Sequence, residues 1–499
     1  MLPARWVLGL CLTACALLVA WAVLFVPPNM DEFVAFHRLA CTAPLSQFNT
    51  FREGCDAHTL DLGFLRYQMS YGYIGITSSA LYYPFWALWP APGSFYLQGV
   101  ILLLVFGYGM ARALNLKATD ALLPVCYFPI GYSMLHDTGP IRLGLLSLPA
   151  LLLIARRLQE TDRGVAKVGL GLVAAAVVLV CAEDKAYYLL MAPLVCILAG
   201  TIGVGQLPTR GTLREARVPL AVFVVVVGAG LAVLLSARTD DGLTYLGLLR
   251  AHSALVAGSA LTQLQRIAYY TTMFPLYGDR VFAVYAVSFA LKLASAVPVV
   301  GLAAWLWRAR AVSPWVLAAC GAAYLAGAAA LLVTGSATSS HHYVFLHLPM
   351  LVVLMRAAAH SAGARRTVFA FVIATTVMSI GFLSATPVQQ DTSRERGRVF
   401  DYASRPDVAT THVVNFSSWG GYYHQDLYGP RTQLVTFVDP LTPEGGARLA
   451  DVARSTSRDL LNICMGCTRE AMLDAFHGAS VQEVPLGAEH WRAFRVRFR

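Results

Sequence analysis

The sequence predicts an all-α polytopic membrane core of about 11 transmembrane helices plus an interfacial helix, followed by a small C-terminal extracytoplasmic α/β domain. Composition is the first observation behind this fold class. Of the 499 residues, 57% are hydrophobic and only 13% are charged, whereas soluble domains are about 45–50% apolar. The second observation is that the apolar residues form runs long enough to cross a hydrocarbon core of about 30 Å.

Eleven apolar runs give the predicted transmembrane helices. They are residues 6–26, 94–112, 121–135, 141–155, 168–182, 186–204, 219–236, 281–306, 315–333, 343–355 and 367–385. One further stretch, residues 71–89, is apolar but rich in Tyr and Trp. That composition is typical of the membrane interface. We expect this stretch to be a helix that lies on the outer surface or re-enters it.

The basic residues between the runs predict the orientation. The net charge is +10, but the Lys and Arg residues are scattered between apolar runs rather than clustered on one face, which argues against nucleic acid as a partner. They fall on one side of the predicted topology, and the positive-inside rule makes that side cytoplasmic. The N-terminus is therefore expected inside and the C-terminal residues outside.

Residues 1–385 are predicted to form the membrane core and residues 386–499 a separate α/β domain. Within that domain, residues 411–416, 433–438, 460–465 and 491–498 have the composition of strands. Thr442-Pro443-Glu444 and Thr468-Arg469-Glu470 have the capping hydroxyl and early acid that begin helices.

The ten cysteines fall into two groups. Six lie in apolar runs, where a thiol behaves as a small hydrophobe. Cys41 and Cys55 share the first outer loop and Cys464 and Cys467 share the C-terminal domain, so each pair either forms a disulfide on an oxidising side or stays as free thiols. The Cys464–Cys467 spacing also resembles half a zinc site, but no second half follows.

Two outer loops are long, residues 27–93 and 237–280, and loops of this length are commonly functional. Polar residues also recur at the predicted outer boundary at points far apart in the sequence. Each group has a structural explanation, such as helix capping, turn chemistry, a self-neutralising loop tip or interfacial histidines. Their coincidence at one depth favours a functional role. The groups are Asp31 and Glu32, His136 and Asp137, Glu183 to Lys185, and His341 and His342.

The residue types in these groups are suited to one kind of chemistry. A lipid phosphate lies at this depth, and Lys, Arg and His are its natural partners. A carboxylate beside it could accept a proton from a hydroxyl or amine that attacks a sugar carbon, or could hold a divalent metal over the phosphate. The sequence therefore predicts glycosyl transfer from a lipid-phosphate donor.

The chain resembles the GT-C superfamily of membrane glycosyltransferases, in particular its bacterial protein O-mannosyltransferase-like and lipid A aminoarabinose transferase-like members. Asn29-Met30-Asp31-Glu32 matches the acidic motif early in the first outer loop, and Asp137 matches a second acid in the next outer loop. His342-Tyr343 with Pro349 resembles a late motif in which Arg is common at the His342 position. Interfacial helices in the first loop and a small outer domain also occur in that superfamily.

The resemblance implies that Asp31, Glu32 and Asp137 are catalytic, with Asp31 favoured as the base. It implies a polyprenyl-phosphate-linked sugar as donor, a lipid, glycan or protein as acceptor, and a bacterial inner membrane location with the reaction on the periplasmic side. A divalent cation is left open, because branches of the superfamily differ. The candidate donor-phosphate ligands are Lys185, Arg280, His341, His342 and Tyr343.

Two other functions remain as alternatives. A transporter or flippase of a lipid-linked glycan or another anionic solute would place paired charges and broken helices near the middle of the membrane. The predicted spans contain few ionisable groups, Lys292 and His347 being the deep exceptions. A surface-polysaccharide polymerase or ligase would have its long outer loop between late spans, whereas this chain has the longest one first.

Overall fold

The structure is a computed structural model of the chain, and it divides into two compact units. Among the described residues, the first unit contains 4–25, 59–78 in part, and 96–385, and the second contains the rest. The structure describes residues 4–25, 59–61, 66–68, 77–89, 92–136, 139–184, 194–199, 210–239, 242, 244–247, 263–267, 300–334, 340–385, 398–399, 401–403, 405–416, 434–436, 440–441, 443–465, 467–488 and 491–498.

The first unit is helical. The helices of this unit whose two ends are both described are α1 (Ala4–Phe25), α3 (Pro92–Ala113, which begins in the second unit), α4 (Leu122–Cys126), α5 (Phe128–His136), α6 (Gly139–Glu160), α7 (Gly164–Asp184), α8 (Arg210–Ser236), α9 (Pro314–Thr334), α10 (His347–His360) and α11 (Ala362–Ala385). Helix α2 (Thr77–Leu88) precedes α3, and two 3₁₀ helices, Ala118–Ala121 and Ser340–Leu346, precede α4 and α10. The prediction of a helix within residues 71–89 agrees with α2, whereas its interfacial location stays a prediction.

Six of the described helices are long and apolar enough to cross a membrane, which indicates a membrane protein. Each coincides with one of the predicted runs. The total of about eleven spans stays a prediction, because several runs lie partly outside the described residues and others give shorter or broken helices. The six are Ser94–Ala113, Gly164–Ala182, Arg217–Ser236, Pro314–Val333, His342–His360 and Ala362–Gly381.

The run 121–135 is not one helix, because the chain breaks at Tyr127. Tyr127 has an extended backbone between α4 and α5, with φ −71° and ψ 106°. Pro129 is the second residue of α5, where the missing N–H costs nothing, but a helix continuing through it from α4 would clash. Thr376 of α11 donates its hydroxyl to the carbonyl of Cys126 at 2.5 Å, which satisfies a backbone acceptor at the break.

Helix directions in the first unit define two ends. Gly99, near the start of α3, lies against Met134 and Leu135 at the end of α5. Arg156, near the end of α6, donates to the carbonyl of Arg112 at 3.0 Å. We call these the His136 end and the Lys117 end. Helix α1 runs beside α4 and α5 in the same direction, since Cys126 Sγ donates to the Cys11 carbonyl and Trp21 packs on Tyr132.

A small antiparallel sheet joins the two loops that the sequence singles out as long. Strands β1 (Thr59–Asp61) and β2 (Arg66–Gln68) come from the first loop, and β3 (Arg238–Thr239) follows α8. The strand order is β2-β1-β3, with Asp61 opposite both Arg66 and Arg238. Residues 59–61 and 66–68 of the first loop and residues 238–239 of the second therefore meet in one sheet.

The second unit contains an α/β fold in the C-terminal part of the chain. It comprises α12 (Pro406–Thr411), β4 (His412–Phe416), β5 (Leu434–Thr436), α13 (Pro443–Thr456), β6 (Asp459–Met465), α14 (Arg469–Ala475), β7 (Ser480–Val484) and β8 (Trp491–Arg497). The strand order is β5-β4-β6-β8-β7, with β5, β4 and β6 parallel and the other two antiparallel.

The four strands and two helix starts predicted for this region are confirmed. Strand β4 is buried along its whole length, as expected for parallel strands covered on both faces. Thr468 caps α14, because its hydroxyl accepts from the Ala471 N–H at 3.2 Å. Strand β7 was not predicted, and its mostly exposed edge position explains the weak apolar pattern.

The described cysteines form the two groups that the sequence indicates, a pair in the C-terminal domain and six in apolar helices. Cys464 and Cys467 form a disulfide at the end of β6, whereas Cys41 and Cys55 lie outside the described residues. The six cysteines in apolar helices are free thiols. The disulfide alternative is therefore confirmed for the C-terminal pair.

Replacement of Gly99 by Ala should destabilise the helical unit. The added methyl group would meet the carbonyl oxygen of Met134 and lie 3.2 Å from Arg142 Nη2, so α3 must move away from α5 at a cost of about 1–3 kcal/mol. Thermal unfolding in detergent measures this loss. Gly321→Ala in α9 is the control, because nothing lies within 4 Å of its added methyl group. An equal effect of both changes would contradict this explanation.

The C-terminal α/β fold should lose stability as the pH falls below about 6.5. Burial, together with the Arg495 guanidinium, lowers the pKa of His412 below its ordinary value of 6.5. The unfolded chain therefore binds a proton at His412 in a pH range where the folded chain does not, so acid favours unfolding. Hydrogen exchange of the β4 and β6 amides, corrected for intrinsic rates, measures this slope between pH 7.5 and 5.5 in the full-length protein.

His412→Gln should flatten that pH dependence, because the substituted side chain cannot titrate. His477→Gln, at an exposed position in the same fold, is the matched control for loss of one histidine. An unchanged slope in His412→Gln would show that another group is responsible.

Candidate functional site

A column of aromatic rings leads to the His136 end. Phe128, Tyr132 and His136 recur every four residues and therefore share one face of α5. The Phe128 and Tyr132 rings stack at 5.5 Å, and the Tyr132 and His136 rings lie 4.8 Å apart. Trp21 of α1 packs 6.1 Å from both Phe128 and Tyr132. The column fixes the His136 ring at the point where α5 ends.

Arg142 is the most unusual residue of this end, because its side chain is fully buried within the helical unit. Its Nη1 donates to Gln98 Oε1 at 2.8 Å, and its Nη2 donates to the Leu135 carbonyl at 3.3 Å. Tyr96 is also buried and interacts electrostatically with the guanidinium. We call Tyr96, Gln98 and Arg142 the Arg142 cluster.

The local sequence explains how this cation is tolerated. Burying a guanidinium is costly unless its N–H groups are hydrogen-bonded. Gly99 lets α3 come close enough to α5 for Gln98 to reach Arg142, and the last carbonyls of α5 have no partner within their own helix. One of these, Leu135, becomes an acceptor for Arg142. The guanidinium thereby holds the end of α5 to the start of α6.

The 3₁₀ segment Ser340–Leu346 packs against α5, α6 and α9. It carries three of the predicted phosphate ligands. The Tyr343 side chain is fully buried and that of His342 is only 7% exposed, whereas the His341 side chain is not described. The segment thus brings His342 and Tyr343 to the helices that form the Arg142 cluster.

A second buried polar pair lies at the break between α4 and α5. Tyr127 and His347 are both fully buried, and the Tyr127 hydroxyl lies 3.0 Å from His347 Nδ1. His347 is the first residue of α10 and directly follows the 3₁₀ segment that contains His342. The pair links the break to α10 through a hydrogen bond inside the bundle.

Most of the predicted site residues lie outside the described part of the chain. They are Asp31, Glu32, Asp137, Lys185 and Arg280. Two of them directly follow described backbone at the His136 end: Asp137 follows His136, and Lys185 follows Asp184, the last residue of α7. The Cys181 thiol near the end of α7 donates to the Leu143 carbonyl in α6 at 3.8 Å, so α7 does end beside the start of α6.

Arg142 was not among the predicted site residues, although the sequence carries a signal for it. The residue lies in the second position of the apolar run 141–155, and an ionisable residue inside such a run is a functional candidate by default. Its partners could not be foreseen, because Gln98 is 44 residues away.

No metal centre is found in the described residues, among which no three His, Cys, Asp or Glu side chains come together. The carboxylates that the sequence assigns to catalysis lie outside them.

Comparison with protein families and with curated proteins gives no match. No protein-family model matches the sequence, and no curated protein matches it with significance. The functional argument therefore depends on the residues of this chain.

The Gln98–Arg142 hydrogen bond should stabilise the helical unit strongly. Gln98→Leu leaves a buried guanidinium without its 2.8 Å partner, which should cost about 3 kcal/mol. The double variant Gln98→Leu/Arg142→Leu removes both groups, so its loss should be smaller than the sum of the single losses by at least about 1 kcal/mol. Chemical unfolding in detergent of all four proteins measures this coupling.

The exposed pair Arg156–Glu160, with a 3.0 Å contact, provides the control cycle. Its coupling should be below about 1 kcal/mol, because solvent screens both charges. Additive losses at Gln98 and Arg142 would mean that their hydrogen bond does not stabilise the bundle.

Proposed function

We propose that the chain is an integral-membrane glycosyltransferase that transfers a sugar from a polyprenyl-phosphate donor to an acceptor at the His136 end. In the predicted topology this end faces the periplasm. The observation that carries the proposal is the fully buried Arg142, which holds the end of α5 through the Leu135 carbonyl. Asp137, a predicted catalytic acid, directly follows His136, the last residue of α5.

Arg142 acts in this proposal as a positioning residue. Its guanidinium is already bonded to Gln98 and Leu135, and no part of it is exposed to a substrate. It holds the last turn of α5, and Asp137 is the residue that follows this helix in the sequence. A carboxylate must be ionised to accept a proton as a general base.

In this proposal Asp31 and Glu32, which follow α1 in the sequence, act at the same end. Helix α1 ends at Phe25, and it runs beside α5 toward the His136 end. Six residues span at most about 20 Å, so Asp31 lies within that distance of the end of α1. This reach is compatible with a site shared by Asp31 and Asp137.

The donor requires a phosphate site next to an apolar surface. Lys185, Arg280, His341 and His342 are the proposed phosphate ligands, and Tyr343 is a fully buried residue of the 3₁₀ segment that contains His342. An apolar cavity of about 390 Å³ lies beside α10, lined by Trp307, Tyr324, Pro349 and Met350 among others. Pro349 is seven residues from His342, about 10–14 Å along the chain axis. A lipid tail in this cavity would leave its phosphate near His342.

The proposed reaction is a displacement at the anomeric carbon. An acceptor hydroxyl or amine attacks that carbon as its proton passes to a carboxylate, for which Asp31 is favoured. The bond between the anomeric carbon and the phosphate oxygen breaks, and the polyprenyl phosphate leaves with the electron pair. Cationic side chains stabilise the negative charge that develops on the phosphate.

A lipid-linked glycan flippase or anionic-solute transporter is the second candidate, and one observation favours it. The helix break at Tyr127, with the buried Tyr127–His347 pair, is the kind of discontinuous helix that transporters use near mid-membrane. However, the pair carries no obligatory charge, and the buried cation lies at the His136 end instead. We therefore prefer the transferase.

Asp31→Asn should reduce the rate of sugar transfer at least 10³-fold, which corresponds to about 4 kcal/mol of activation free energy, because the amide cannot accept the proton. Asp137→Asn should reduce the rate as well. The assay uses detergent-purified protein, radiolabelled polyprenyl-phosphate sugars and a membrane extract as acceptor. Asp162→Asn, an exposed change between α6 and α7, is the matched control and should retain transfer.

Transfer by Asp31→Asn at the wild-type rate would remove Asp31 from the mechanism. If no donor supports transfer by the wild type while reconstituted vesicles translocate a lipid-linked glycan, the flippase is the better assignment.

A further inference from the structure

A cavity of about 560 Å³ at the Lys117 end is not used by the proposed reaction. It lies where three candidate spans meet: α3 has just ended, α10 ends at His360 and α11 begins at Ala362. The cavity is therefore at a membrane boundary, opposite the Arg142 cluster. Its walls come from one compact unit.

The polar side of this cavity is cationic. Lys117, Arg365 and Arg366 line it together with a single carboxylate, Asp120. Arg365 forms an ion pair with Asp120, which is 5% exposed, and also donates to the Thr119 hydroxyl at 2.7 Å. The Asp120 charge is therefore offset. Neither Lys117 nor Arg366 has an ion-pair partner among the residues that the structure describes.

Backbone dipoles add to the positive potential. Ser361 lines the cavity and caps α11, its hydroxyl accepting from the Ala364 N–H at 3.1 Å. The first turn of this 24-residue helix therefore faces the cavity, and helix N-termini favour anions. Asn115, in the left-handed conformation with φ 57°, ends α3 and turns the chain so that Lys117 reaches the cavity.

The other side of the cavity is apolar. Leu116, Leu122, Ala358 and Phe369 line it, and these side chains continue into the helix bundle. A soluble anion would make no favourable contact with this apolar wall. A phospholipid would contact both sides, with its phosphate at the cations and its acyl chains at the apolar residues. Basic pockets between helices at a membrane boundary bind anionic lipid headgroups.

We propose that this cavity binds the phosphate of an anionic membrane phospholipid, with Lys117 and Arg366 as its ligands. Arg365 is held by Asp120 and shapes the cavity. The site is separate from the proposed transfer site and does not depend on the reaction. Its ligand is a structural or regulatory lipid of the leaflet at the Lys117 end.

The test compares lipid binding by wild type and by Lys117→Gln/Arg366→Gln. Native mass spectrometry and thermal shift of the full-length protein in neutral detergent use short-chain phosphatidylglycerol, phosphatidylcholine and inorganic phosphate as probes. Wild type should bind phosphatidylglycerol at least tenfold more tightly than phosphatidylcholine, and the double variant should lose this preference. Arg163→Gln, which removes an exposed cation between α6 and α7, should keep it.

A second variant addresses a failure of the double variant to fold. Ala359→Phe fills the cavity from an exposed position of its wall and leaves the three cations in place, so it should also weaken phosphatidylglycerol binding. Equal binding of both lipids by wild type, or an unchanged preference in both variants, would overturn the proposal. Inorganic phosphate that binds as tightly as phosphatidylglycerol and displaces it would overturn the assignment to a lipid.

Discussion

The organisation of the His136 end depends on the burial of one charge. The Arg142 guanidinium is fully enclosed, and an enclosed charge must be hydrogen-bonded if the fold is to be stable. Its two acceptors belong to different helices: Gln98 to α3 and the Leu135 carbonyl to α5. Because Arg142 itself belongs to α6, three helices are held together at one point.

The same requirement explains the break between α4 and α5. A helix that stops inside an apolar bundle exposes backbone carbonyls that water cannot reach. Thr376 supplies a hydroxyl to the Cys126 carbonyl, and the Tyr127 side chain turns to His347. The break therefore connects α4 with α10 and α11 through polar contacts.

The sequence predicts those parts of the architecture that depend on residues close together in the chain. The apolar runs of α7, α8 and α9 and the strands β4 and β6 follow from local patterns, so these elements were predicted. Helix α8 begins at Arg210, nine residues before its predicted run, because its first turns are polar. The break at Tyr127 has a local signal in Pro129, but the apolar run obscured it. Strand β7 has an exposed edge and lacks the alternation that identifies a strand.

The candidate sites were harder to predict, because they depend on residues far apart in the sequence. Arg142 is noticeable as an arginine in an apolar run, yet nothing local identifies Gln98 as its partner. The cationic cavity brings together Lys117 and Arg366, which are separated by about half the chain. The sequence analysis used these basic residues only as indicators of orientation.

The two ends of the bundle use arginine in opposite ways, and the difference assigns their roles. Arg142 is fully enclosed and already donates to two neutral partners, Gln98 Oε1 and the Leu135 carbonyl. Arg366 has no such partner in the described chain, and the cavity before it is large enough for a headgroup. An enclosed cation that hydrogen-bonds to two other helices holds a backbone in place, whereas one that faces a cavity without a counterion is available to a ligand. Arg142 is therefore suited to positioning and Arg366 to binding.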